Sequence, residues 1–513
     1  MSEIQLTGFG GRPVNVHTGL FINNDFQPAA GGSELQVENP TTGAPKEDVD
    51  KAVEAASAAF RGAWRDVSPA ERGKLLNRLA DLVERDADDL ASLEALEAGV
   101  LFNDSKALHI VQSVETLRYF AGWADKITGQ LLSIPQGQAF TRREPLGVCA
   151  AVVPWNAPLL SQCLKKICKG GPEIADAGET KSMITIWKLA PAIAAGNVLI
   201  IKTPELTPLY AQKLASLIKE AGFPPGVVNV LCGYGHVAGQ ALAEHNGVKK
   251  ISFTGSGPVG RQIMKAAAAS NLKKVTLELG GKGPSIVFAD ADVPNALFWT
   301  ALGFTANNGQ VCAAGSRIYV HASIYDSFLP ALAERLVQSA QGDPLAAETT
   351  KGPVISQQQK DKILAYIRQA KESGIRVLAE TDAAPEQGHF VASTAFADVP
   401  DDARIMQEEI FGPVASIAKF TSEAEVIEKA NATEYGLSAA VFTNNVSRAQ
   451  RVSSALESGQ VTVNCWGMLH ANTPFGGVKQ SGFGRDMGEE ALDGWLTTKV
   501  VKYFTLPAAD EEK

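Results

Sequence analysis

Along residues 46–130 charged and apolar side chains recur at the helical spacing, which predicts helices over Asp48–Phe60, Pro69–Arg85, Ala87–Ala98 and Asp104–Ile127. From Gln130 to Val148 the pattern changes to short extended runs around Pro135 and Gly137, which suits a hairpin standing out from the body. Beyond residue 196 apolar strands alternate with amphipathic helices. Strands are expected at Val198–Lys202, Val227–Cys232, Ile251–Thr254 and Val275–Glu278, with one helix ending at Ala221 and another running from the glycine turn at Gly255 through Ala269. Such alternation predicts a parallel sheet covered on both faces. A second alternating run extends from Pro284 to about Phe475, with helices at Ala296–Asn307, Tyr325–Ala340 and Gln357–Lys371.

Composition narrows the class. The chain has 513 residues, long enough for about three folding units at roughly 150 residues each. Its 45% apolar and 20% charged residues are those of a globular protein and exclude fibrous and disordered readings. A net charge of −9, without a basic patch interleaved with aromatics, argues against nucleic acid as a partner. The longest apolar runs, such as Val148–Val153 and Val198–Ile201, are far shorter than the ~20 residues that span a bilayer, so no membrane is expected. The termini carry no recognisable targeting signal, and a cytoplasmic location is expected. Six cysteines are too sparse for a disulfide framework and too scattered for a zinc site, and no metal is expected.

Four positions carry candidate chemistry. Gly255, Gly257 and Gly260 follow a strand and open a helix, an arrangement that offers backbone N–H groups and a positive helix end to an anion. A tight turn alone would also require glycine there. Cys312 stands in a turn of small residues (Gly309, Ala313, Ala314, Gly315), where a thiol is exposed instead of packed; the plain alternative is a small buried hydrophobe. Glu278 ends a buried strand, where open α/β sheets build their sites; the plain alternative is a carboxylate paired with a neighbouring cation. Asn156, in Pro154-Trp-Asn, reads on its own as a turn former.

These positions fall within ordered segments: Pro154-Trp-Asn-Ala-Pro-Leu159, Lys202-Thr-Pro-Glu205, Glu278-Leu-Gly-Gly-Lys282, Gly309-Gln-Val-Cys-Ala-Ala-Gly-Ser-Arg317 and Glu408-Glu-Ile-Phe-Gly-Pro-Val414. With Gly342-Asp-Pro-Leu345 and Pro474-Phe-Gly-Gly-Val-Lys-Gln-Ser-Gly-Phe-Gly-Arg485, the chain resembles the aldehyde dehydrogenase superfamily from about Asn39 to Phe504. The resemblance implies an α/β fold with a Rossmann-like NAD-binding domain (1–130 and 150–280), an α/β catalytic domain (281–480) and a small β oligomerisation arm (131–149 and 486–513). It further implies a homodimer or homotetramer.

By the same resemblance Cys312 is the nucleophile, Asn156 the oxyanion donor and Glu278 the base that activates water. Relatives that pass the acyl group to coenzyme A typically lack this glutamate, so the hydrolytic branch is implied. NAD is the implied cofactor. Lys202 and Glu205 would hold its adenosine ribose, and Ser256 its pyrophosphate with Gly255 and Gly260. Glu409 and Phe411 would position the nicotinamide end, and Trp155, Gly235 and Leu279 would complete the cofactor cleft. Glu205 accepts from a ribose 2′-OH and repels a 2′-phosphate, which favours NAD over NADP. The implied substrate pocket consists of Ala157, Trp187, Ala306, Val311, Trp466, Leu469 and Phe475. Ala157 and Ala306 replace residues that are often aromatic in relatives, and a roomier tunnel for bulky apolar or aromatic aldehydes is expected.

The chain departs from the family in one large way. Trp187-Lys-Leu-Ala-Pro-Ala-Ile-Ala-Ala-Gly-Asn197 is intact, yet Leu160–Ser182 separates it from the Pro-Trp-Asn motif. This segment reads as a retained intron or a gene-model error that interrupts the first domain beside Asn156. Gly43-Ala-Pro-Lys46 is also shorter than the usual connection there. Two alternatives stay open: a silent member disabled by the insert, and a semialdehyde or amino-aldehyde dehydrogenase. The latter needs a charged partner that neither Trp466 nor Leu469 supplies, leaving His470 as the candidate.

Overall fold

The strands Lys274–Glu278, Lys250–Thr254, Val148–Val152, Val198–Thr203 and Val228–Cys232 pair in that order, all parallel. The central strands are apolar without alternation and buried along their whole length, the pattern of a sheet whose two faces are both covered. This computed structural model describes residues 3–30, 45–156, 181–336, 340–381, 385 and 387–505. Two antiparallel edges complete the sheet to eight strands: Gly482–Phe483 beside Lys274–Glu278, and the hairpin Leu20–Ile22/Asp25–Gln27 beside Val228–Cys232. The N-terminal strands, including the separate hairpin Glu3–Thr7/Pro13–His17, were not expected from the sequence. They are short and lie in a polar stretch whose periodicity does not announce them.

A second sheet of seven strands runs Arg376–Glu380, Thr394–Ala397, Val414–Phe420, Arg317–His321, Pro284–Val287, Ser438–Phe442, Gln460–Val463. Only the first of these is antiparallel to its neighbour. The third sheet joins Leu131–Ile134, Gly137–Pro145 and Leu496–Phe504, all antiparallel. The expected arm began at residue 486. Its C-terminal strand begins at Leu496, whereas Met487, Ala491, Leu492 and Trp495 are buried in the core of the first sheet.

The helices lie close to their expected bounds, at Lys46–Arg61, Pro69–Arg85, Ala87–Ala98, Val293–Thr305, Ala322–Leu336 and Gln357–Glu372. The helix expected over Asp104–Ile127 differs. A wide π turn occupies Ser105–Ile110 before the α-helix Val111–Trp123, and in that turn Ser105 and His109 both reach the buried carboxylate of Glu94. Of the suspected insert, residues 160–180 and the side chains of Lys181 and Ser182 lie outside the described residues. The helix Lys181–Ala194 already includes its last two positions.

Asn197 ties these layers together. Its Oδ1 accepts from the backbone N–H groups of Leu146 and Gly147 at 2.7 and 3.0 Å, and its Nδ2 donates to the carbonyls of Ala192 and Trp495 at 3.3 and 2.8 Å. All of this is buried, so truncation orphans several backbone groups at once. Asn197→Ala is expected to cost about 3 kcal/mol, seen as a lower urea midpoint by tryptophan fluorescence; an unchanged midpoint would remove Asn197 from this role.

Candidate active site

The turn before Cys312 is built from three successive residues in the left-handed region: Asn307 (φ 44°), Asn308 (φ 57°) and Gly309 (φ 66°). Asn tolerates this conformation better than most residues, and Gly309 could accept no side chain without meeting the Gly412 backbone. The helix Val293–Thr305 therefore stops short, and the chain doubles back to leave Cys312 half-buried at the pocket. Across from it, a Cβ at Gly281 would sit 2.5 Å from the Cys312 carbonyl oxygen, so the Glu278-Leu-Gly-Gly segment must be bare where it passes.

Asn156 follows the first parallel strand and is almost fully buried. Its Nδ2 donates to the Gln310 carbonyl at 3.2 Å, and Gln310 is fixed in turn by bonds to Asn307 and Ile355. Glu278 ends its own strand with its carbonyl accepting from Gly255 N–H at 3.0 Å, so the carboxylate and the glycine turn share one strand end. Its Oε2 has no hydrogen-bond partner among the described residues. Burial pushes the Glu278 carboxyl well above the usual carboxylate range; Asp486 adds to this, while Lys188 and Arg485 oppose it.

One pocket of about 690 Å³, including its open mouth, brings together Asn156, Glu278 and Cys312 with Trp187, Val311, Trp466, Leu469 and Phe475. Trp187 and Phe475 pack with ring centroids 5.1 Å apart, and Trp466 Nε1 donates to the Ala313 carbonyl at 2.9 Å. Ala306 is not on this lining. At the helix end it turns away and packs, half-buried, against the core of the second sheet. Ala157 lies outside the described residues. Sequence reasoning missed Met183, Ile184, Met468 and Asp486 on the wall, as well as Lys188, whose ammonium pairs with Asp486 in the interior. Lys188 sits inside a quoted motif and Asp486 directly follows one, and a charge at a buried helical position was the signal available for Lys188.

Lys202, Glu205, Gly235, Gly255, Ser256 and Leu279 lie at or just beyond the carboxyl ends of strands of the first sheet, while Glu409 and Phe411 precede the strand Val414–Phe420 of the second. Lys202, buried, pairs with Glu205 at 3.1 Å. Ser256 is the N-cap of the helix Gly257–Ala269, yet its hydroxyl does not cap that helix. Gly260 in the first turn packs onto Leu279, and Gly235 opens a turn with nothing near its Cα hydrogens. Glu409 accepts from Gly281 N–H at 3.1 Å, with its carboxyl raised by burial. Phe411, at φ 60°, meets Trp155 edge-on with centroids 5.5 Å apart. An uncapped helix N-terminus, an unobstructed glycine and a carboxylate just beyond a strand end fit a dinucleotide.

A model described as the aldehyde dehydrogenase family matches residues 28–169 and 181–501. The chain belongs to the aldehyde dehydrogenase family. The match breaks at 170–180, inside the suspected insert. An aldehyde dehydrogenase from Alternaria alternata is 48% identical over 493 residues, covering 94% of this chain and 95% of that protein. Retinal dehydrogenase 2 from Rattus norvegicus is 46% identical over 496 residues, 94% of this chain and 91% of its own. The solved NAD+ complex of an aldehyde dehydrogenase from Bacillus cereus superposes with a TM-score of 0.88 at 40% identity, covering 95% of this chain and 96% of that one. This aldehyde dehydrogenase is thus an NAD-dependent oxidoreductase that converts an aldehyde to the carboxylic acid. Among the described residues no helix is long and apolar enough to cross a membrane, and no group of three or more metal-ligating side chains comes together.

Thiol reactivity separates the cysteines. Cys149 and Cys232 are buried, and desolvation pushes both thiols up to about 12. In the folded enzyme iodoacetamide should therefore modify Cys312 first and leave Cys149 and Cys232 intact, as read by peptide mass spectrometry. Early labelling of either buried thiol would contradict the packing described.

Proposed function

We propose that this aldehyde dehydrogenase acts on bulky apolar or aromatic aldehydes through covalent catalysis at Cys312. The observation that carries this reading is the convergence of Cys312, Asn156 and Glu278 on one pocket whose walls are Met183, Ile184, Trp187, Trp466, Leu469 and Phe475. Desolvating a large apolar body on such walls favours its binding, whereas acetaldehyde would leave most of them uncovered. A relative named for retinal is in keeping with this.

In this mechanism the Cys312 thiolate attacks the aldehyde carbon, and the carbonyl oxygen becomes an oxyanion held by Asn156 Nδ2 and the Cys312 backbone N–H, giving a thiohemiacetal. NAD, when bound, accepts the hydride that leaves this carbon. Lys202, Glu205, Ser256, Glu409 and Phe411 hold and orient the cofactor, with Trp155, Gly235, Gly255, Gly260 and Leu279 shaping the cleft. The thioester left on Cys312 is then opened by water, whose proton Glu278 takes. Glu278 performs this when ionised. Lys188 and Asp486 set how readily it ionises: the ammonium favours the charged form and the second carboxylate disfavours it.

The exposed apolar residues of the arm, Leu131, Val500, Tyr503 and Phe504, support its role in forming a homodimer or homotetramer. The described cysteines are free thiols, in keeping with a reducing, cytoplasmic compartment.

Two measurements test this reading. The purified 513-residue protein should reduce NAD with a higher kcat/KM for long or aromatic aldehydes than for acetaldehyde, and Cys312→Ala should abolish turnover; the reverse preference would refute the substrate class. Asp486→Asn removes a negative neighbour of Glu278 and leaves Lys188 positive beside it. Both changes favour the ionised carboxylate, so the acidic limb of the kcat profile should move to lower pH. An unmoved limb would assign that limb to a group other than Glu278.

A further inference from the structure

A second large cavity, about 1010 Å³ including its open mouth, lies away from the catalytic pocket at the base of the arm. Four arginines line it: Arg61, Arg65, Arg72 and Arg143. Phe60, Ile127 and Pro145 give it half-buried apolar surface, while the Trp64 indole, also on the lining, is buried and anchored by Nε1 to the Gly196 carbonyl at 3.0 Å.

The chain as a whole is acidic, and several exposed arginines elsewhere grip carboxylates: Arg85 holds Glu220, Arg118 holds Asp81 and Glu84, and Arg451 holds Glu423. In the groove, the Arg65 guanidinium has no hydrogen bond or ion pair among the described residues. Arg61 donates only through Nε, to the Ser57 carbonyl at 3.3 Å. Arg72, half-buried, spends Nε and one terminal nitrogen on the Ala194 and Val67 carbonyls and keeps the other. Only Arg143 is neutralised, by Asp493. The one carboxylate on the lining, Asp125, is paired with Lys126 at 2.7 Å. Arg61, Arg65 and Arg72 therefore line a common space whose one carboxylate is already paired, beside half-buried apolar side chains. A guanidinium fork matches carboxylate and phosphate oxygens, and the apolar side chains match an apolar body.

We propose that this groove binds an amphipathic organic anion, an apolar chain or ring ending in a carboxylate or phosphate. The anionic end pairs with Arg61 and Arg65 at the exposed side, with Arg72 beside them, and the apolar body covers Phe60, Ile127 and Pro145. Arg143 and Pro145 belong to the arm strand Gly137–Pro145, so an occupant touches both the arm and the body.

The test is isothermal titration of the full-length protein with decanoate, decyl phosphate, 1-decanol and inorganic phosphate, each against wild type and Arg61→Gln/Arg65→Gln. Both positions are exposed and lie outside the catalytic machinery, so turnover of an aldehyde should be unchanged in the variant. Decanoate or decyl phosphate should bind the wild type and bind the variant at least roughly tenfold more weakly, and Arg65→Glu should weaken binding further. The tighter of the two identifies whether carboxylates or phosphate esters are the natural occupants. The proposal is overturned if neither binds, if the double variant binds as tightly as wild type, or if 1-decanol or inorganic phosphate matches the amphiphiles.

Discussion

The active site depends on one stretch of bare backbone. Between Glu278 and Pro284 the chain leaves the first sheet and enters the second, and it passes so close to the nucleophile loop that no side chain fits at Gly281. Leu279 N–H is held by the Ser481 carbonyl, the Gly280 carbonyl by the Ser481 hydroxyl, and Gly281 N–H by Glu409. A crossing pinned at three successive residues fixes the distance between the carboxylate on one sheet and the thiol on the other. Catalytic groups contributed by separate layers would otherwise drift with every adjustment of the interface between them.

The same region tolerates charge where proteins rarely bury it. Lys188 and Asp486 neutralise each other, but Lys250 and Lys282 lie in the interior without a carboxylate in contact, and burial pulls both ammonium groups down to about 7. Lys250 donates to Thr276 at 2.6 Å and lies 4.6 Å over the Trp495 ring. Arg317 is wholly buried and gives its guanidinium to the carbonyls of Lys282, Lys429 and Ala430, closing off backbone groups that no strand partner reaches. Lys188 acts on Glu278 and Lys282 on Glu409, so the dryness that raises the two carboxyls is shared by groups of opposite sign.

Much of this was legible in the chain because it is local. Continuous apolar runs announced the parallel strands, and the glycine turn at Gly255 announced the helix start that faces the cofactor. Long-range features were less visible. The two-residue strand Gly482–Phe483, the short N-terminal strands and the burial of Met487–Leu496 are decided by partners hundreds of positions away, and short segments carry no period of their own. The π turn at Ser105–Ile110 looks like ordinary helix until Glu94 is seen beneath it. Ala306 was placed on the pocket wall by analogy, but a helix that ends at Thr305 points the next residue elsewhere. Lys188 went unread because a lysine inside an apolar helix suggests a solvated face, whereas its partner is a carboxylate about 300 positions on.

The position of residues 482–504 also sets a timetable. Gly482–Phe483 closes an edge of the first sheet, the residues up to Leu496 fill its core, and Leu496–Phe504 pairs with Gly137–Pro145 along its full length. A ribosome delivers these residues after every other strand of the two large sheets has been synthesised. The first sheet therefore waits, with an open edge and an unfilled core, through the synthesis of everything that follows Glu278, and the second can close before it. During that interval the nascent chain exposes an open strand edge that could pair with other chains, until Gly482–Phe483 closes it.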